Sequence, residues 1–135
     1  MPGLKSLLLF VFSFPYSLLA QDMSLYQKKY FAYNNDTMPY RLLLPVNYDA
    51  SKKYPLILFL HGAGERGNDN EAQLTHGSKL FLNDSIRQNY PAIVVFPQCS
   101  KDGYWSNVYR EENATDRQRY TYRTDGDASP DMNLL

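Results

Sequence analysis

Two short runs of apolar residues stand out in the middle of the chain, at positions 55–60 (PLILFL) and 91–96 (PAIVVF). Neither run alternates with polar residues, and turn-forming residues flank both of them. This pattern is typical of strands that are covered on both faces, as in a parallel sheet. A glycine-rich loop and a helix candidate at residues 78–88 lie between the runs. The order strand, loop, helix, strand predicts a βαβ unit with a right-handed crossover, and therefore an α/β fold.

An antiparallel hairpin is predicted ahead of this unit. Residues 24–33 are aromatic-rich and strand-like, and residues 38–44 alternate in polarity. Residues 34–36 (NND) between them predict a turn, because Asn and Asp tolerate left-handed backbone. Pro39 has no N–H to give to a ladder, which predicts that the second strand lies at an edge of the sheet or starts near this residue.

The regular pattern ends after the second apolar run. Residues 100–129 are rich in Asp, Arg, Asn, Thr and Tyr and have little apolar periodicity. A stretch of this length is typical of a functional or disordered loop. Ser129 and Pro130 then predict the start of a helix, with Ser as the N-cap and Pro at the first helical position.

The beginning of the chain has the order of a secretory signal peptide. Lys5 gives a short positive region, residues 7–14 are largely apolar, and Ala20 is a small residue suited to cleavage. The apolar segment is shorter than the roughly 20 residues that span a bilayer; a membrane anchor and a buried strand are the alternatives. Residues 1–20 are therefore assigned to a signal peptide and residues 21–135 to the fold, and we expect a secreted or periplasmic chain without a membrane span.

The composition argues against several classes of function. Lys and Arg together number 14, as do Asp and Glu, so the formal net charge is zero and no chain-wide basic field favours nucleic-acid binding. The one cysteine, Cys99, rules out an intrachain disulfide and a cysteine-rich zinc site. Two histidines argue against a multi-histidine metal centre. We expect no metal and no cofactor, and we expect Cys99 to be a buried, unpaired thiol.

The most informative segment is the loop at residues 60–67 (LHGAGERG), which follows the first apolar run. Ligands bind at the carboxyl ends of strands in open parallel sheets, and this loop would lie there. Glycines allow a sharp turn that leaves main-chain N–H groups pointing inward. Such donors can stabilise the oxyanion that develops when an ester or amide carbonyl is attacked. A purely structural strand-to-helix turn is the alternative.

These segments resemble the α/β-hydrolase superfamily. Leu44-Pro45, residues 54–67 (YPLILFLHGAGERG), residues 91–99 (PAIVVFPQC) and Trp105 are similar to secreted putative esterases and predicted peptidases, near the feruloyl esterases and polyhydroxybutyrate depolymerases. The similarity covers roughly residues 30–105. It implies an incomplete α/β-hydrolase fold, in which an antiparallel hairpin leads into a parallel sheet with a crossover helix.

The resemblance also implies roles for the loop residues. The N–H of Ala63, together with that of Gly64, would supply an oxyanion-hole donor, Gly62 would permit the turn, and His61 would brace the loop. His61 is not the expected catalytic base, because the order in this fold is Ser, then Asp or Glu, then His. The implied substrate is a small-molecule ester or a peptide, with plant cell-wall and carbohydrate-linked compounds among the candidates.

Four neighbouring side chains have two interpretations each. Glu65 and Arg66 either form an ion pair that holds the loop or contact a polar group of the substrate. Trp105, together with Tyr104, either walls a substrate pocket or packs under the long loop.

The chain contains no G-x-S-x-G nucleophile elbow. The resemblance predicts the elbow, the acid and the base after a helix near Pro130. Residues 21–135 are therefore predicted to be the amino-terminal part of an exported serine hydrolase, truncated before the elbow, with no catalytic residue and no triad activity of their own. The alternative is a small secreted module that binds carbohydrate or peptide through Tyr104, Trp105 and residues 117–123, without catalysis.

Overall fold

The computed structural model describes residues 22–111 and 120–135, so the predicted signal peptide lies outside the described residues. The main element is a four-stranded mixed sheet with the strand order β1-β2-β4-β3. Its strands are β1 (Gln27–Tyr33), β2 (Asp36–Leu43), β3 (Leu56–Leu58) and β4 (Ile93–Pro97).

The predicted hairpin is confirmed. β1 and β2 pair antiparallel from Gln27↔Leu42 to Tyr33↔Asp36. Asn34 and Asn35 make the turn, with φ of 48° and 67° in the left-handed region. β1 starts later than predicted, because Met23–Leu25 form a 3-10 turn instead of strand.

The placement of Pro39 corrects a prediction about the sheet edge. β2 is an interior strand, paired with β1 on one side and with β4 on the other. Pairing with β4 begins at Tyr40↔Pro97, one residue beyond Pro39. The Pro39 carbonyl accepts a hydrogen bond from the Gln98 N–H at 2.8 Å. The missing N–H therefore falls where the ladder ends, which lets proline occupy an interior strand.

The second apolar run forms the buried strand that was predicted, but the first does not. β3 pairs in parallel with β4 from Leu56↔Ile93 to Leu58↔Val95 and lies at the edge of the sheet. Leu56 is 67% exposed and Leu58 is 44% exposed. The expectation that this strand is covered on both faces is wrong for the described residues, because all three residues of β3 remain exposed.

The segment between β3 and β4 contains two short helices where a single helix was predicted. α1 spans Ser78–Phe81 and α2 spans Asp84–Asn89. Asn83 has extended backbone, and its side chain accepts a hydrogen bond from the N–H of Ile86. Asn83 therefore acts as an N-cap that starts a new helix and breaks the predicted one.

The hydrophobic core lies between one face of the sheet and this connecting segment. Phe96 at the centre of β4 is fully buried. It stacks on Phe59 at 4.7 Å between ring centroids and meets Tyr26 edge-on at 5.4 Å. The other buried members of the hydrophobic core are apolar side chains from the sheet and from the segment between β3 and β4, namely Leu43, Leu74, Leu82 and Val94. Phe81 packs against them.

Residues 100–129 contain more regular structure than their sequence indicated. β5 (Asn107–Arg110) and β6 (Tyr120–Arg123) form a two-stranded antiparallel sheet. The helix predicted at Pro130 is confirmed as α3 (Pro130–Asn133), and the Ser129 hydroxyl accepts a hydrogen bond from the Met132 N–H. In the part of the chain that the structure describes, no helix has the length and apolar character needed to cross a membrane.

The second face of the main sheet is apolar and only partly covered. Its side chains and the end of α3 line a groove of about 290 Å³. The lining residues include Phe31, Met38, Leu58, Val95 and Leu135. A large exposed apolar surface beside a free strand edge favours self-association.

We therefore expect isolated residues 21–135 to self-associate and to bind a hydrophobic dye. The paired change Leu56→Lys and Leu58→Lys should increase the monomeric fraction several-fold, because charge blunts a free strand edge. Size-exclusion chromatography measures this fraction. Tyr90→Lys is the matched control, because Tyr90 is 73% exposed but lies outside the sheet. A monomeric unchanged chain with a sharp thermal transition would contradict the expectation.

Candidate functional site

The loop at residues 61–67 lies where the carboxyl ends of β3 and β4 meet. The Gly67 N–H donates to the Cys99 carbonyl at 2.9 Å, which ties the end of the loop to the residues that follow β4. Parallel strands bring their carboxyl ends to one edge of a sheet. The loop and the segment after β4 are therefore neighbours, as the βαβ prediction requires.

His61 connects these two segments. It is 6% exposed. Its Nε2 accepts a hydrogen bond from the Cys99 N–H at 3.0 Å, and its carbonyl accepts one from Trp105 Nε1 at 3.1 Å. The imidazole also meets the Trp105 ring edge-on, with 5.2 Å between centroids. These contacts tie the loop to the segment that follows β4.

The contacts of His61 also determine the orientation of the next peptide. Because Nε2 accepts from Cys99, the ring proton is assigned to Nδ1, which donates to the Gly62 carbonyl at 2.6 Å. A trans peptide points its carbonyl and its N–H in opposite directions. Fixing the Gly62 carbonyl against the imidazole therefore turns the Ala63 N–H away from the ring.

Ala63 and Gly64 begin a 3-10 turn that ends at Glu65. Both residues are exposed. Within residues 22–111 and 120–135, neither amide N–H donates a hydrogen bond to the protein, and Gly62 gives the turn no side-chain cap. The first N–H groups of such a turn have no partner within it. Two unpaired main-chain donors thus follow each other at the carboxyl end of β3.

Gly62 itself has extended backbone, with φ of −81° and ψ of −179°, which any residue can adopt. There is little space for a side chain at Gly62. A Cβ at this position would lie 3.1 Å from Glu65 Oε2. The glycine is therefore favoured by the close approach of the Glu65 side chain.

Glu65 and Arg66 contact other residues and not each other. Glu65 Oε1 lies 3.4 Å from Nε2 of His76. Arg66 Nε donates to the Ala63 carbonyl at 3.0 Å, and Arg66 Nη1 donates to the Gly103 carbonyl at 3.0 Å. The suggested Glu65–Arg66 ion pair does not form.

A cavity of about 160 Å³ lies beside this loop. Trp105, Tyr104 and Tyr122 from β6 contribute aromatic walls, and Ala63 also lines the cavity. The structure thus brings Trp105 together with the loop, as the pocket interpretation requires. Of the residues 117–123 suggested for ligand binding, only 120–123 fall within the described residues.

A buried polar network, which the sequence analysis missed, supports the loop from below. Asn70 has left-handed backbone, and its N–H donates to Gln98 Oε1 at 2.8 Å. Gln98 Nε2 donates to the Glu65 carbonyl at 3.1 Å and to Asp69 Oδ1 at 2.8 Å. Arg41 Nε donates to the Asn70 carbonyl at 2.6 Å. Side chains of β2 and of the residue after β4 therefore hold the backbone of the connecting loop.

The same network continues away from the loop. The Gln73 amide donates to Asn70 Oδ1 at 2.7 Å, and Arg41 pairs with Glu71 at 2.5 Å. The backbone N–H groups of Ala72 and Glu71 are the largest cause holding the pKa of Asp69 below its usual value. Asp69 is therefore a stable anionic acceptor for Gln98.

Asp131 at the start of α3 docks onto the turn that follows Cys99. Its carboxylate accepts hydrogen bonds from the Ser100 N–H at 2.8 Å and from Ser100 Oγ at 3.0 Å. A Cβ on Gly103 would overlap this carboxylate. Burial, reinforced by Asp131, raises the pKa of the Cys99 thiol to about 12. The expected buried, unpaired thiol is therefore confirmed, and it remains protonated at neutral pH.

The part of the chain covered by residues 22–111 and 120–135 has no cluster of three His, Cys, Asp or Glu side chains suited to a metal ion. No family model matches the chain. No curated protein matches it either.

A solved structure described as a thermostable esterase is similar to this chain. The sequences are 35% identical, the TM-score is 0.56, and the match covers 61% of this chain. The chain spans 23% of the length of that esterase. The mixed sheet and this likeness together are consistent with a partial α/β fold of the kind found in α/β-hydrolase-like esterases.

Proposed function

We propose that residues 21–135 are the front portion of an exported serine hydrolase that cleaves carboxylic esters or peptides through an acyl-enzyme. The observation that carries this proposal is the 35% identity to the thermostable esterase over a common fold. The proposal assigns the oxyanion-hole loop to this portion and the nucleophile, acid and base to segments that follow Leu135.

The proposed chemistry uses main-chain donors. When a serine attacks a carbonyl carbon, negative charge develops on the carbonyl oxygen, and preorganised N–H groups lower the barrier. Ala63 and Gly64 are exposed, their N–H groups have no acceptor in the described residues, and Ala63 lines the aromatic-walled cavity. Removing one such donor typically costs about 10²–10³ in kcat.

The histidines of this chain are poorly suited to act as a general base. Both ring nitrogens of His61 are engaged, one by the Cys99 N–H and one by the Gly62 carbonyl. The other histidine, His76, is 76% exposed and faces Glu65. Ser100 Oγ donates to Asp131 Oδ2, and the same carboxylate accepts the Ser100 N–H, so this hydroxyl has a structural partner and no imidazole acceptor among the described residues. The proposed base and nucleophile therefore belong to other residues than these.

The test begins with the source DNA beyond the codon for Leu135. We expect the frame to continue through a strand into G-x-S-x-G, with a later Asp or Glu and then His. The product of that complete reading frame should hydrolyse p-nitrophenyl acetate and react with a fluorophosphonate probe at the new serine. A stop codon directly after Leu135, or a complete product without either reaction, would refute the proposal.

A binding module without catalysis is the second candidate, favoured by the aromatic walls of the cavity beside Trp105. Under this alternative, the chain as it stands would bind a carbohydrate or a peptide. Saturable quenching of Trp105 fluorescence by such a ligand, in a chain that ends at Leu135 and folds as a monomer, would favour it over the hydrolase.

Export is proposed from the first twenty residues. Amino-terminal sequencing of the mature protein should give Gln21 as the first residue. A protein that retains Met1 and stays in the cytoplasm would contradict this part of the proposal.

A further inference from the structure

Arg66 makes three contacts with two separate segments. Its Nε donates to the Ala63 carbonyl at 3.0 Å, inside its own loop. Its Nη1 donates to the Gly103 carbonyl at 3.0 Å, in the segment that follows β4. Its guanidinium carbon lies 4.7 Å from the ring centroid of Tyr104. One half-buried side chain therefore links the candidate donor loop to the aromatic wall of the cavity.

These contacts are not those of an ordinary surface arginine. Among the described residues, Arg66 forms no ion pair with a carboxylate. Its partners are two carbonyl oxygens and a π face, which together need the planar fork of a guanidinium. A lysine has a single ammonium point charge and cannot bond both carbonyls while also stacking on the ring.

The contact with the Ala63 carbonyl has a consequence for the following peptide. Carbonyl and N–H point in opposite directions across a trans peptide. Holding the Ala63 carbonyl against Arg66 turns the Gly64 N–H away from the guanidinium. His61 does the same for the Ala63 N–H through the Gly62 carbonyl. Two side chains thus hold two successive carbonyls, and by doing so orient two successive amides.

We infer that Arg66 is a positioning residue that fixes the Ala63–Gly64 peptide and Tyr104 as one unit. This inference rests on the proposed function, in which those amides bind the oxyanion. Arg66 acts through the peptide plane and does not touch the reacting atoms. Its loss should lower kcat and leave KM nearly unchanged, because the donor is misaligned for the transition state while substrate binding is retained.

The experiment compares Arg66→Lys and Tyr104→Leu with the unchanged protein, each made in the product of the complete reading frame. Hydrogen exchange followed by mass spectrometry reports on the segments 60–67 and 99–106, and hydrolysis of p-nitrophenyl acetate gives kcat and KM. Arg87→Lys is the matched control, because Arg87 also donates to a backbone carbonyl, that of Leu44, at 3.1 Å.

Arg66→Lys is expected to speed exchange in both segments together, and to lower kcat at least about 10-fold with KM within about 2-fold. Tyr104→Leu should speed exchange in segment 60–67, although residue 104 lies outside it. Arg87→Lys should change neither segment. The inference would be overturned if Arg66→Lys left hydrogen exchange unchanged, or if it changed exchange in segment 60–67 alone. It would also be overturned if Arg66→Lys reduced activity through KM alone. An unchanged protein that hydrolyses no ester would overturn the proposed function, and the exchange results would still decide the role of Arg66.

Discussion

His61→Ala is expected to lower kcat by about 10²-fold in the product of the complete reading frame. The substitution frees the Gly62 carbonyl, so the Ala63 N–H loses its fixed orientation. It also leaves the buried Cys99 N–H without its acceptor, which costs about 1–3 kcal/mol of stability. Steady-state hydrolysis of p-nitrophenyl acetate and urea unfolding of the same samples measure the two effects.

The second histidine of the chain provides the control for this experiment. His76 is 76% exposed and contacts only the edge of the loop, through Glu65. His76→Ala should keep kcat within about 2-fold, since the Gly62 and Ala63 carbonyls are held by His61 and Arg66 and not by His76. Equal kcat for His61→Ala and the unchanged enzyme would refute the proposed orientation of Ala63. A comparable loss in His76→Ala would mean that the effect is not specific to the brace.

Gly77→Ala is expected to destabilise the fold by about 3 kcal/mol. Gly77 has a φ of 77°, a left-handed conformation that costs an L-residue about 1–2 kcal/mol. A Cβ there would also lie 2.5 Å from Cζ of Phe59, whose ring stacks on Phe96 in the core. The ring has little room to move, so overpacking adds to the backbone strain. Urea unfolding of the product of the complete reading frame measures the loss.

Gly64→Ala is the matched glycine control for stability. A Cβ at Gly64 meets no atom within 4 Å, and its φ is not in the left-handed region. We expect a change within about 0.5 kcal/mol, as for most surface substitutions. If Gly77→Ala were as mild as Gly64→Ala, the Phe59 ring would have to be free to rotate aside, and the described core packing would be wrong.

The features that the sequence predicted well depend on local chemistry. Asn34 and Asn35 make the hairpin turn because their side chains tolerate left-handed backbone. Ser129 caps α3 because its hydroxyl accepts from the first turn. The two apolar runs pair with each other because both are short, continuous stretches of apolar residues. Their pairing brings the loop after β3 next to Cys99.

The features that the sequence did not predict depend on contacts between distant residues. Pro39 can lie in an interior strand of the sheet because the pairing of β2 with β4 starts at Tyr40, one residue after Pro39. The β5–β6 ladder has no apolar alternation, since all four residues of β6 are exposed and give no period-two signal. Arg41, Asn70 and Gln98 are ordinary polar residues in the sequence, and only the fold reveals that they are buried together.

That burial has an evolutionary consequence. Arg41, Asn70, Gln73 and Gln98 hydrogen-bond within one buried network that includes the loop backbone, so a change at one position leaves a buried donor or acceptor of the network without its partner. Each such step costs about 1–3 kcal/mol out of a net stability of about 5–15 kcal/mol. Homologues should therefore vary at these four positions in correlated sets, whereas the exposed neighbour Asn68 is free to change alone. The loop can diversify at its surface while the polar residues beneath it are inherited as a group.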